Sequence, residues 1–473
     1  MRFRLLSQGL TPSGVLPWAA VLVALSSGLG CGQGSCGTCS NPVPTPTTEP
    51  TTGPADPIAT TRMMLKSLSL PANMALPADP TNRFADDERA RELGKKFFFE
   101  PRFSGALLDD ANNGTSGTNG RLGETGKVSC SSCHSPQGGT FSDMRSPRGQ
   151  LSLGSGWTHR KAPSLLNVAQ SRFLMWDGRR DSAFSQVFSP MESPLEFNSS
   201  RLFVAQQVYR LYRSEYEALF GAMPALLDKY PELAAAEAGC TTLPADPAHE
   251  TCVKPEQATD EVTGVVVNVG KAIQAYTRQL SCGRSRFDDW LDGNDAAMTP
   301  DEIGGAVVFA NKGACQVCHS GPYLTDQRFH NLGLGGSLVP FTGVMTANDP
   351  GAGSAAPLLL KDPLNSRGKF SDGDDARLDS LPSADKLEGA FKTPGLRCVS
   401  RRRTFMHNGE FRSLNDVIDF FDHGSSASGF VGTAENFPRN FTQLEKDQLL
   451  AFLHALDGEG PPADLLEPPT LAP

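Results

Sequence analysis

Two five-residue stretches carry the reactive groups of this chain: Cys130-Ser-Ser-Cys133-His134 and Cys315-Gln-Val-Cys318-His319. Thiols three positions apart share one turn of chain, so both can add to the two vinyl groups of a single porphyrin. The histidine directly after the second thiol then reaches the iron as its proximal ligand. With 11 Cys and 8 His in 473 residues, two copies lie far outside chance, and the pattern marks two covalently bound haem c groups. A redox dithiol has no need of the following histidine, and one zinc site built from both copies would leave two ligands over.

The other cysteines say less. Cys240 and Cys252 flank a Pro-containing loop and read as a local disulfide in an exported protein. Cys282 with Cys398, and Cys36 with Cys39, are further pairs that the sequence leaves open.

The elements that position these motifs repeat along the chain. Before the first motif, Ala85 to Phe99 reads as a helix with Gly94 and Phe98; before the second, Pro300 to Phe309 reads as a helix with Gly305 and Phe309 at the same spacing. Each motif is followed by a Ser-Asp or Thr-Asp pair, Ser142-Asp143 and Thr325-Asp326. Such repetition predicts two like domains. Thr299 with Pro300 and Glu302, and Thr442 with Glu445, are helix starts of the capping-box type. Long helices fit Arg201 to Phe220 and Asp260 to Leu280, while alternating strand patterns are scarce. The fold class is therefore mostly α, two cytochrome-like helical domains, each around one haem, with long irregular loops at Ser104 to Lys127 and Thr342 to Lys386. The acidic run Asp372, Asp374, Asp375 reads as a solvated loop in preference to a cation site.

The N-terminus, with basic Met1 to Arg4 and an apolar run from Gly14 to Leu25, reads as an export signal too short to span a bilayer. It ends at Cys31 in a lipoprotein-like context in which Gly28 stands where Leu is usual, so a lipid anchor at Cys31 and ordinary cleavage both stay open. The Pro- and Thr-rich stretch that follows lacks large apolar groups and reads as a disordered tether. The expected organisation is thus signal 1–31, tether 32–62, an N-terminal peroxidatic haem domain 63–281 and a C-terminal electron-transfer haem domain 282–473, in the periplasm or tethered to the outer membrane. A net charge of -9 with no basic stripe excludes a nucleic-acid partner.

Beyond the haem motifs, Phe141-Ser-Asp, Ala162-Pro-Ser-Leu-Leu-Asn167, Trp176-Asp-Gly-Arg179, Arg286-Phe-Asp288, Phe329-His-Asn331 and Met406-His-Asn-Gly409 follow one another in an order that resembles the bacterial di-haem cytochrome c peroxidases and MauG, over about Asp87 to Asp457. The resemblance implies that His134 ligates the haem at which peroxide reacts and His319 the haem that receives electrons. It also implies that Glu196 and Gln186 are the distal proton-transfer and hydrogen-bonding residues, and that Trp176 lies between the haems. As a large core residue Trp176 would suit the fold equally.

Three departures from the family pattern stand out. Where the family places a Met or Tyr ligand, this chain has Phe421, which cannot bind iron; His423, two residues on, is either the replacement ligand or a helix-end histidine. The position of a distal His that requires reductive activation is Ser155, with His159 nearby, so the first iron is expected to be open. The Asn that helps to hold an interdomain calcium is Lys161, which makes calcium doubtful. The expected activity is reduction of hydrogen peroxide to water with electrons from a small cytochrome c or cupredoxin. The alternatives are a MauG-like, peroxide-dependent oxidase of a partner-protein residue and a non-catalytic di-haem electron carrier.

Overall fold

Two helix pairs frame the chain, and each crosses at a glycine. The helix Glu88–Phe99 lies on Asp260–Thr277, and Pro300–Ala310 lies on Gln443–Ala455. A Cβ on Gly94 would stand 1.8 Å from the Ala272 carbonyl oxygen, and one on Gly305 would stand 2.0 Å from that of Gln448. Only glycine permits either approach. The expected caps form: Glu302 N donates to Thr299 Oγ1 at 3.3 Å while Thr299 N donates to Glu302 Oε2 at 2.8 Å, and Thr442 and Glu445 repeat the exchange. The first helix is capped by Asp87, which accepts from Arg89 N and Ala90 N.

This computed structural model describes residues 57–473 other than 74, 144–150, 243–256, 335–348 and 427. The export signal, Cys31, Cys36 and Cys39 lie outside the described residues. So does Cys252; Cys240 is disulfide-bonded. Cys282 and Cys398 are joined, their Cα atoms 6.0 Å apart.

Within the unit Ala55–Pro473 the apolar core divides in two. One cluster gathers Phe97, Phe98, Phe141, Phe184, Tyr212 and Tyr276; the other gathers Phe287, Trp290, Phe309, Phe452 and Leu456. The chain crosses between them at its ends, since Leu65 and Leu68 pack in the second cluster and Leu465 in the first. A fully buried ion pair ties three segments together. Arg397 donates to both oxygens of Asp288 at 2.6 and 2.8 Å and to the Leu68 carbonyl at 3.0 Å, while Leu70 N donates to Asp288 at 2.7 Å.

Three expectations are corrected. Residues 57–62, read as tether, belong to the helix Pro57–Leu65, whose Leu65 is fully buried; Pro57 suits a first helical turn, where its missing N–H costs nothing. The long helix expected from Arg201 to Phe220 is two, Arg201–Leu211 and Arg213–Phe220, broken at Tyr212, whose hydroxyl donates to buried Glu100 at 2.5 Å. The second long loop contains the helix Ala352–Leu359, hidden from the sequence pattern by Pro357 and its small residues. In that loop two of the three acidic residues are engaged, Asp372 with Lys271 and Asp375 with Arg377.

Strand is confined among the described residues to one antiparallel pair, Phe329–His330 with Phe391–Lys392, in the register Phe329 to Lys392 and His330 to Phe391. No described helix is long and apolar enough to cross a membrane.

Candidate haem-binding cavity

Both five-residue motifs turn tightly. Cys130–Cys133 is one α-turn with a capping box from Ser129, and Cys315–Val317 is one 3-10 turn. In each, the histidine N–H closes the turn on the first cysteine, at 2.8 Å for His134 and 2.9 Å for His319. The imidazoles are then oriented identically. His134 Nδ1 lies 3.1 Å from the Phe141 carbonyl oxygen and His319 Nδ1 lies 2.9 Å from that of Leu324. A carbonyl only accepts, so Nδ1 carries the proton in both and Nε2 keeps its lone pair, the state in which a histidine binds a metal. Phe141 and Leu324 adopt left-handed backbone, φ 47° and 56°, which costs roughly 1–3 kcal/mol at a non-glycine residue and turns each carbonyl toward its imidazole. Burial pushes both histidines below their ordinary pKa, favouring the neutral ligand form.

The two motifs open onto one continuous cavity of about 1440 Å³. That exceeds the roughly 300–1,000 Å³ of ordinary small-molecule pockets. Cys130, Cys133, Cys315 and Cys318 line it, and burial pushes Cys130 and Cys315 up to about 12. Two pairs of cavity-lining cysteines, metal-ready imidazoles and a large, mainly apolar volume fit two porphyrins.

Trp176, Gln186 and Glu196 also line the cavity. Glu196 is held through its backbone, with N donating to the Ser193 carbonyl at 3.2 Å and O accepting from Ser155 N at 2.7 Å, and its charge is felt by the Cys130 thiol. Gln186 ends the helix Ala183–Gln186, its Nε2 donating to Met175 Sδ at 3.4 Å. The Trp176 indole donates to the Lys161 carbonyl at 2.7 Å. Ser155 is buried and its hydroxyl donates to the Ala106 carbonyl, whereas His159 lines the cavity.

His423 is the one proposed ligand that the fold does not bring to the cavity. It is exposed, and its Nδ1 donates to the Asp419 carbonyl at 2.7 Å. Leu414, Val417, Ile418 and Phe421 form the cavity-facing stripe of the helix Leu414–His423, and a residue two places after Phe421 points to the opposite side of a 3.6-residue turn. The iron-ligand reading of His423 is therefore corrected to a helix-end histidine.

An unrecognised repeat organises the waist of the cavity. Residues 160–182 match 391–413 without a gap, sharing Lys161 with Lys392, Pro163 with Pro394, Leu165 with Leu396, Met175 with Met406, Gly178 with Gly409 and Ser182 with Ser413. The backbones match too: Asn167 and Cys398, and Met175 and Met406, are all left-handed, and Ser182 and Ser413 each precede a helix. This pairs Trp176 with His407 and Pro190 with Phe421. His407 stacks on Phe391 with ring centroids 3.7 Å apart, and burial pushes it down to about 4. The halves then exchange hydrogen bonds: Lys161 N donates to the His407 carbonyl and Lys392 N to the Trp176 carbonyl, each at 2.8 Å.

A family model of di-haem cytochrome c peroxidase matches residues 88–296. The chain is 26% identical over 300 residues to the methylamine utilization protein MauG of Methylorubrum extorquens, covering 63% of this chain and 65% of that protein, just under two thirds of its length. It is 26% identical over 378 residues to the cytochrome-c peroxidase IdrP2 of Denitromonas iodatirespirans, covering 78% and 81%. The crystal structure of the diheme peroxidase BthA from Burkholderia thailandensis E264 superposes with a TM-score of 0.55 at 23% identity, over 84% of this chain and 93% of that one, a likeness of fold.

Proposed function

For this member of the di-haem cytochrome c peroxidase and MauG family, we propose the reduction of hydrogen peroxide to water by electrons from a small cytochrome c or cupredoxin. The observation that carries the reading is that Glu196 and Gln186 line the same cavity as Cys130, Cys133 and His134. In it, Cys130 and Cys133 hold one haem c covalently with His134 as its proximal ligand, and Cys315, Cys318 and His319 hold the other. A haem iron bound at His134 supplies the redox centre for O–O cleavage. Glu196 takes the proton from one peroxide oxygen and returns it to the other, so that the departing oxygen leaves as water. Gln186 orients the peroxide by hydrogen bonding. The balance is H2O2 with two electrons and two protons giving two molecules of water. Trp176, whose indole donates to the Lys161 carbonyl and whose own carbonyl accepts from Lys392 N, serves in this reading as the bridge between 63–281, which reduces peroxide, and 282–473, which receives the electrons.

Export through 1–31 belongs to the proposal, since haem attachment of this type takes place outside the bacterial cytoplasm; whether Cys31 carries lipid is a matter for mass analysis of the mature chain.

Similarity to MauG favours a second reading, oxidation of a residue in a partner protein at the expense of peroxide. The two are separated by mixing the peroxide-treated holoprotein with reduced cytochromes and cupredoxins. Rapid, repeated turnover supports the peroxidase, and failure with every such donor excludes it. A chain indifferent to peroxide would be a simple electron carrier.

A further inference from the structure

Lys161 and Lys392 occupy matching places in the internal repeat, and both line the cavity. Lys161 is 5% exposed. Their backbones are fixed by the reciprocal 2.8 Å bonds to His407 and Trp176. Lys392 is held further by its pairing with Phe329. Among the described residues neither ammonium has a hydrogen-bond acceptor or a carboxylate within ion-pairing distance. Each feels an acid that follows its own half's motif, Asp143 for Lys161 and Asp326 for Lys392, but Asp326 is engaged by His330 at 2.9 Å.

Both lysines feel the charge of Arg402, which also lines the cavity and is itself attracted by Asp457. Arg402 donates to the Gly395 carbonyl at 2.9 Å, while its Nε has no acceptor. Burial, with Arg402 adding repulsion, pushes Lys161 and Lys392 each down to about 8. Lys161 is buried and Lys392 and Arg402 are half-buried; a cation held away from water without a paired anion is unfavourable, so the cavity is built to receive negative charge, and to receive it beside each lysine.

We propose that Lys161 and Lys392 are the carboxylate anchors of the two haems, one lysine to the propionates of each, with Arg402 adding positive charge shared between them. This rests on the reading that each five-residue motif carries a haem. It goes beyond that reading by assigning the waist of the cavity to propionate binding and by identifying the cations as the protein's own. A free anion from solution would have the same chemistry, and the experiment separates the two.

The test is a redox titration of the holoprotein with Lys161→Met, Lys392→Met and the charge-conserving Lys161→Arg, alongside resonance Raman spectra of the propionate bending modes. Removing a cation beside a haem favours its ferric state. Each Met variant is expected to shift a different haem's oxidised-to-reduced ratio about tenfold toward ferric, equivalent to about 59 mV for a one-electron couple, and to move that haem's propionate band. Lys161→Arg should stay near the parent in both readouts. Potentials insensitive to added chloride or acetate support propionate as the ligand; potentials of the parent that track those anions overturn it. Two attached haems with potentials and bands unmoved in both Met variants overturn this inference alone, whereas absence of covalent haem from the parent overturns the haem reading as well. If the Met variants fail to accumulate, Lys161→Gln against Lys161→Arg gives the same decision.

Discussion

Phe421 and His423 lie on one helix and look in opposite directions, Phe421 into the cavity beside the second motif and His423 out to solvent with its Nδ1 on the Asp419 carbonyl. An aromatic hydrocarbon thus stands where the resemblance implies a ligand, and His423, two residues on, faces away from it.

It follows that His423→Ala should leave the EPR spectrum of the oxidised protein unchanged, whereas Phe421→Met places a thioether in the cavity and should increase the low-spin ferric signal. A changed spectrum in His423→Ala would reinstate that residue as a ligand.

Each motif should hold its haem independently. Cys130→Ala with Cys133→Ala is expected to remove one haem's mass from the mature chain and Cys315→Ala with Cys318→Ala the other, measured by intact-protein mass spectrometry and haemochromogen absorbance. A double variant that retains both covalent haems would contradict the assignment.

Glu196→Gln keeps size and hydrogen bonding but removes the proton acceptor. The peroxide reaction, followed by stopped-flow absorbance, should slow by about 10²–10⁴-fold with haem content intact. An unchanged rate would take Glu196 out of the proton transfer.

The Asp288–Arg397 pair should contribute to acid stability. Burial alone would raise the Asp288 pKa, but the hydrogen bonds and charge of Arg397 outweigh it and hold the carboxyl below its ordinary value. A depressed folded pKa gives stability that is fully present above the unfolded value and lost as pH falls through the folded one. Asp288→Ala leaves Arg397 buried and unpaired and is expected to cost about 3–5 kcal/mol in chemical denaturation, with less acid sensitivity than the parent. Equal stabilities at neutral pH would show that the pair contributes nothing net.

Much of this was legible in the chain because covalent and local chemistry is written in consecutive residues. The two Cys-x-x-Cys-His motifs, the capping boxes at Thr299 and Thr442 and the glycines at the helix crossings depend on spacing, and spacing survives folding. The tertiary structure decided what depends on direction. Whether His423 faces inward is fixed by the helix phase relative to Phe421, and the Tyr212 hydroxyl at the helix break meets Glu100, 112 residues away. The repeat of 160–182 in 391–413 was present in the sequence all along, yet only packing could bring Lys161 to His407 and Lys392 to Trp176, because such bonds are made between distant segments whose common address is the cavity they enclose.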